Sequence, residues 1–184
     1  MLMEFLELAK ARYSSRMYKS DPVKRDAIER CLEAARLAPS ACNSQPWKFI
    51  VCDSEPLRQN LVEQAFSGVY SMNAFAKKAP VIIAVVRQSS QYASKLGGLF
   101  RGTDFSLLDI GMACEHLVLQ AAEEDLGTCF LGWFNEKNVK KILDLSFSSK
   151  VDLLISLGYP AEKHSRPKNR KTLEEIREYR QSDI

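Results

Sequence analysis

The sequence predicts a sheet covered on both faces by helices, in the α/β or α+β class. Three observations carry this. Apolar runs of strand length alternate with stretches of helical spacing along the 184 residues. The strand candidates are nearly all apolar rather than alternating, as in a sheet with both faces covered. One segment, residues 104–123, carries apolar residues around its whole circumference, the pattern of a helix buried on every side.

The elements follow in order. "MEFLELAKA" has helical spacing at Phe5, Leu6 and Ala9, then breaks into "RYSSRMY". Residues 23–37 place Ile28, Cys31, Leu32 and Ala35 on one stripe, an amphipathic helix stopped near Pro39. "KFIVCD" (48–53) reads as a buried strand, and "EPLRQNLVEQAF" returns to helical spacing with Pro56 in its first turn. "PVIIAVV" (80–86) is a second buried strand, with Pro80 at its start where the missing N–H does least harm. Residues 88–102 read as a mobile loop with a Gly-Gly hinge. The long helix then starts at Thr103 or Asp104 and ends at Gly127. "TCFLGW" (128–133) and "VDLLISLGYP" (151–160) are two more strands flanking a short helix in "NEKNVKKILDL". The tail is polar and basic, then helical from about Thr172.

Composition narrows the function. Hydrophobic residues at 46% and charged residues at 27% are ordinary for one globular domain spanning 1–184. A net charge of +3 is too slight to call for nucleic acid or a membrane surface. Five scattered cysteines, with no C-x-x-C pair and two distant histidines, give no zinc spacing and fit reduced thiols in the cytoplasm. Glu4 and Glu7 stand where a signal peptide needs positive charge, and "VIIAVV" (81–86) is too short to span a bilayer. The expectation is a cytoplasmic protein without nucleic-acid or membrane partners. Cys42 reads as a small filler residue, and His116 as a packed, hydrogen-bonded side chain within the long helix. The outer face of that helix, if not covered by its own chain, implies a homodimer.

Three segments stand out for chemistry. "RYSSR" (12–16) brackets two serines with arginines, and "RPKNRK" (166–171) is a second basic cluster. Guanidinium forks and hydroxyls suit a phosphate, although either cluster alone also reads as a solvated face. The third is the corner "PSACNSQPW" (39–47), uncharged and rich in hydrogen-bonding groups. Its amides and hydroxyl can read the polar edge of a flat heterocycle. It also reads as a helix-to-strand turn with Trp47 filling the core. Neither nucleotide-binding glycine loops nor a nucleophile elbow is present, and Ser-His-Asp catalysis has little support. A polar site without an evident acid, base or nucleophile points to a cofactor that supplies the reactivity.

The order of "RYSSRMY", "LEAARLAPSACNSQPWKFIV", "DIGMACEHLVLQAAEEDLGTCFLGW", "LLISLGYP" and "RPKNRKTLEEI" resembles that of nitroreductase-family flavoproteins, from about Arg12 to Ile176. The resemblance implies an α+β fold, a central and mostly antiparallel sheet wrapped by helices in an intertwined homodimer. It also implies FMN at the subunit interface, and a tail (about 160–184) reaching over the partner. Carried onto this chain, it gives Arg12, Tyr13 and Ser14 as phosphate and ribityl contacts, and Arg16 as the cation beside the flavin ring. Lys168 and Arg170 complete the phosphate clamp, while Pro39, Ser40, Ala41 and Asn43 form the corner offered by the other subunit. Asn73 faces the pyrimidine edge, and Leu131, Gly132 and Trp133 lie along N5 and O4. The implied reaction is ping-pong: FMN takes a hydride at N5 from NADH or NADPH and reduces a nitroaromatic, quinone or similar small acceptor. Reduction of an enone, a halogenated aromatic or free flavin, and a non-catalytic flavin-binding protein, are the alternatives. Trp133 is bulkier than the usual residue at its position and would narrow the channel over N5.

Overall fold

A computed structural model of the chain describes residues 4–88, 102–162 and 168–180. The loop expected over 88–102 therefore falls, except at its ends, outside the described residues. Four strands form one antiparallel sheet: β1 (Trp47–Cys52), β2 (Val81–Arg87), β3 (Gly127–Leu131) and β4 (Lys150–Gly158), in the order β1-β2-β4-β3. The helices are α1 (Phe5–Ala11), α2 (Arg25–Arg36), α3 (Leu57–Ala65), α4 (Phe105–Glu123), α5 (Glu136–Ile142) and a single turn, α6 (Leu173–Ile176). An antiparallel sheet with helices on both sides settles the class as α+β.

The apolar strands do bury both faces. On one face Ile82, Ala84, Val86, Leu131 and Leu154 pack with Leu61, Val62 and Ala65 of α3 and Val139 of α5. On the other, Val81, Ile83, Val85, Ile155 and Leu157 pack with Ile28, Cys31 and Ala35 of α2 and Ile110, Ala113, Leu117 and Ala121 of α4. Each fully buried side chain such as Ile28 contributes roughly 1.5–3 kcal/mol over leaving it in water. The stripe on α2 forms as its spacing predicts, with Leu32 only partly buried at its margin.

The start of α4 is fixed by a shared carboxylate. Asp104 accepts from the Ser106 amide at 3.1 Å and from Arg87 at 2.5 Å, and Arg87 also forks onto Asp152 in a break of the β2–β4 register. The end of α4 differs from expectation. Asp125, with φ 57, ends the helix, and the Leu126 amide reaches the Ala121 carbonyl at 2.8 Å. This is the left-handed terminator that glycine usually supplies. Gly127 is instead the first residue of β3, where a Cβ would lie 2.7 Å from that of Ser15.

By length and composition α4 is apolar enough to cross a membrane, but it is a core helix packed on α2 and the sheet. It is not buried all round within its own chain. Leu107, Leu108 and Met112 are exposed at 48%, 55% and 38%. His116 is packed as expected, its Nδ1 3.2 Å from the Ala34 carbonyl.

The "RYSSRMY" segment crosses the ends of β3 and β4. The Ser15 amide donates to Thr128 at 2.8 Å and the Lys19 amide to Tyr159 at 2.8 Å. Tyr18 is buried, its hydroxyl donating to the Ser15 carbonyl and sharing a hydrogen bond with Ser156 Oγ, both at 2.8 Å. Burial raises the Tyr18 phenol well above its ordinary value.

Candidate functional site

The predicted site residues gather in three groups. The first joins the two ends of the chain. Lys168 Nζ donates to the Ala9 carbonyl at 2.6 Å, beside Arg12 and Arg170. Its pKa is lowered, first by burial and then by repulsion from those two arginines. Arg12 Nε is buried with no hydrogen-bond partner among the described residues, and the Glu115 carboxylate is 3.9 Å from it. Three cations against one half-exposed carboxylate form an anion-seeking cluster, and an unsatisfied buried N–H is costly until something accepts from it. Tyr13 runs beside it, donating its hydroxyl to the Glu162 carbonyl at 3.0 Å.

The second group is the corner. Ser40 Oγ accepts from the Gln45 amide at 3.0 Å, and the Gln45 side chain donates to Asn43 Oδ1 at 3.0 Å. Cys42, Asn43 and Gln45 all have left-handed backbone, with φ of 53, 52 and 44. Non-glycine residues there carry strain that the surroundings must hold, a pattern that clusters at functional sites. Cys42 is exposed rather than packed as filler, because this bend turns its side chain out of the core. Trp47 is only partly buried at the edge of the core, with Pro46 buried before it. Pro39 and Asn43 are exposed, and Ser40 and Ala41 half-buried.

The third group lies at the end of β3. Leu131 is buried, whereas Gly132 is exposed, and a side chain at 132 would meet no atom within 4 Å. Trp133 donates its indole N–H to the Val69 carbonyl at 2.9 Å and tilts against Tyr70 with ring centroids 5.2 Å apart. Asn73 donates its side-chain amide to the Trp133 carbonyl at 2.9 Å. Arg16 lies over the Phe75 ring, 5.9 Å from its centroid. Burial raises the Cys129 thiol, opposed by the Arg16 charge and a hydrogen bond from Ser14, so Arg16 and Ser14 both stand beside β3.

Within one chain the first and second groups sit on different faces of α4. Asp109 accepts from the Ala41 amide and Ser44 Oγ of the corner and Glu115 meets Arg12, and six residues of helix separate them by about 9 Å and about 120°. A cavity of about 650 Å³ bordered by Arg12, Tyr13 and Thr128 includes no corner residue and neither Gly132 nor Trp133. Sequence reasoning missed Asp109 and Glu115. The signal was present, since both are acids interrupting an otherwise apolar helix.

The α+β fold thus carries on its surface a cluster of three cations, an exposed glycine and a hydrogen-bonding corner. The nitroreductase family model matches residues 9–159, and the chain belongs to that family. Similar proteins include the NADH dehydrogenase of Thermus thermophilus, 27% identical over 191 residues that cover 90% of each chain. A nitroreductase family protein of Clostridium novyi is 32% identical, covers 89% of this chain and 90% of its own, and superposes with a TM-score of 0.75. A protein of Exiguobacterium sibiricum solved in complex with FMN shares the fold at 21% identity, with a TM-score of 0.79 over 97% of this chain and 98% of its own.

Proposed function

We propose that the chain is an FMN-dependent NAD(P)H oxidoreductase that acts as a homodimer on a nitroaromatic, quinone or similar small acceptor. The observation that carries this reading is the grouping of Arg12 and Arg170 about Lys168, with the Arg12 Nε buried and without a partner among the described residues. A phosphate monoester fits that donor set, with charge to balance the cations and oxygens to accept from Arg12 Nε. Family membership and the FMN complex of a protein of the same fold support the choice of ligand.

Bound there, FMN would supply the redox chemistry, hydride transfer from NADH or NADPH and electron delivery to the acceptor. The protein's part is to bind and orient. Arg12, Lys168 and Arg170 anchor the phosphate, with Tyr13 and Ser14 beside them. Gly132, without a side chain, leaves the backbone from Leu131 to Trp133 open to the ring edge. Arg16 supplies a cation that supports negative charge on the ring. The corner of Pro39, Ser40, Ala41 and Asn43 serves the ring held by the opposite subunit. Its separation from Arg12 around α4 supports this, as does the exposed strip of Leu107, Leu108 and Met112.

A visible spectrum of the purified protein, followed by anaerobic NADH or NADPH, tests the reading. Yellow protein that bleaches on reductant and recovers with a quinone is expected. Colourless protein that takes up no added FMN overturns it.

A further inference from the structure

We propose that Asp109 is a positioning residue for the flavin, acting through the corner and not by contact; the proposal rests on the cofactor reading above. Asp109 is 2% exposed, a carboxylate inside the apolar layer between α4 and the rest of the core. Burying a carboxylate is costly unless its oxygens are fully employed. Both are spent on the corner: Oδ1 accepts from the Ala41 amide at 3.0 Å, and Oδ2 from Ser44 Oγ at 3.3 Å. These two anchors bracket Cys42 and Asn43, whose left-handed backbone a free chain would abandon. The carboxylate thus supplies what the local sequence does not, a reason for the bend to persist. It also fixes the corner to α4, the helix that meets the phosphate cluster six residues on through Glu115. One rigid rod then carries both the corner offered to the partner's flavin and the contact to the phosphate cluster of its own.

The arrangement provides its own reporter. Cys42 is exposed and the other four cysteines are buried. Burial pushes the Cys31 and Cys114 thiols to about 12 and Cys52 to about 11, so a thiol reagent reads Cys42 in the folded protein.

The experiment compares wild type, Asp109→Asn, Asp109→Ala and Ser44→Ala. It measures affinity for FMN and for riboflavin, the potential of the bound flavin, and the rate at which Cys42 reacts with a chromogenic disulfide. Asp109→Ala should weaken FMN and riboflavin by the same factor, on the order of tenfold or more for a charged hydrogen-bonded group. The potential of the remaining bound flavin should shift, and the Cys42 rate without flavin should change. Asp109→Asn, which keeps an acceptor for Ala41, should restore most of the loss, and Ser44→Ala should fall between. A variant that is merely less stable would keep the potential. Unchanged affinity, potential and Cys42 rate in Asp109→Ala overturn the proposal, and so does a loss confined to FMN, which would place Asp109 at the phosphate. If Asp109→Ala does not fold, Ser44→Ala and Asp109→Asn decide by the same criteria. Wild-type protein that binds neither flavin defeats the cofactor reading and, with it, the flavin role of Asp109; the Cys42 rates then report whether the carboxylate holds the bend alone.

Discussion

Asn73 and Trp133 hold each other's segments in place: the Asn73 side-chain amide donates to the Trp133 carbonyl at 2.9 Å, while the Trp133 indole donates back to the Val69 carbonyl at 2.9 Å. The clasp joins the Gly68–Lys78 segment to the end of β3. Asn73→Ala should open it. In a Trp47→Phe background, Trp133 emission should move to longer wavelength and its anisotropy should fall, with a stability loss of only about 0.5–1.5 kcal/mol. Unchanged emission would mean that the Val69 carbonyl and Tyr70 fix the indole without Asn73.

Arg16→Gln should retain bound flavin while lowering its reduction potential. A loss of about 1.4 kcal/mol in the reduced form corresponds to roughly 30 mV for a two-electron couple. Dye equilibration measures it, and a potential within error of wild type removes Arg16 from the ring.

Arg170→Ala should weaken FMN by on the order of tenfold to a hundredfold while sparing riboflavin, which lacks the phosphate. The pH dependence follows from Lys168. Its pKa in the free protein is lowered by burial and by Arg12 and Arg170, and a bound phosphate dianion raises it again. Binding then takes up a proton between the two values. Above the second pKa of the phosphate, about 6, affinity should therefore be flat, fall as pH rises through the lowered value, and level off beyond the raised one. Lys168→Arg, which does not titrate, should abolish the fall in a fluorescence titration.

Gly158→Ala tests the crossing of "RYSSRMY" over the sheet. The added methyl would lie 2.5 Å from Pro80 Cδ and 3.1 Å from Tyr18 Cδ1, both in rigid surroundings. Overpacking of this kind costs about 1–3 kcal/mol, so the urea midpoint should drop with the slope unchanged. An unchanged midpoint would mean that the backbone yields freely there.

Leu108→Glu places a charge on the exposed strip of α4. If that strip is the subunit contact, light scattering should show monomer in place of dimer, and flavin should be lost with it. A dimer that survives the substitution would put the contact elsewhere.

Much of the fold is legible locally. The stripe of Ile28, Cys31 and Ala35 and the run from Val81 to Val86 declare themselves because spacing and composition are properties of the segment alone. Gly127 shows where this stops. It looks like a helix terminator, but Asp125 does that work, and the glycine is required by Ser15, more than a hundred residues away in sequence. The helix expected from Thr172 is capped as its sequence promises, with Glu175 reaching back to the Thr172 amide at 2.7 Å. It is only one turn long, and Leu173 and Ile176 remain exposed, so no packing face sustains it. The basic cluster and the corner could be picked out by residue type. Their attachment to different faces of α4 could not, because it depends on which side of the helix the sheet covers.

The left-handed run at Cys42, Asn43 and Gln45 also has an evolutionary consequence. Glycine at any of these positions would relieve the backbone while surrendering a side chain or a fixed shape. Selection for heat resistance alone should therefore drift toward glycine here, whereas selection for turnover should resist it. The two regimes, run in parallel from this gene, would part company first at this bend.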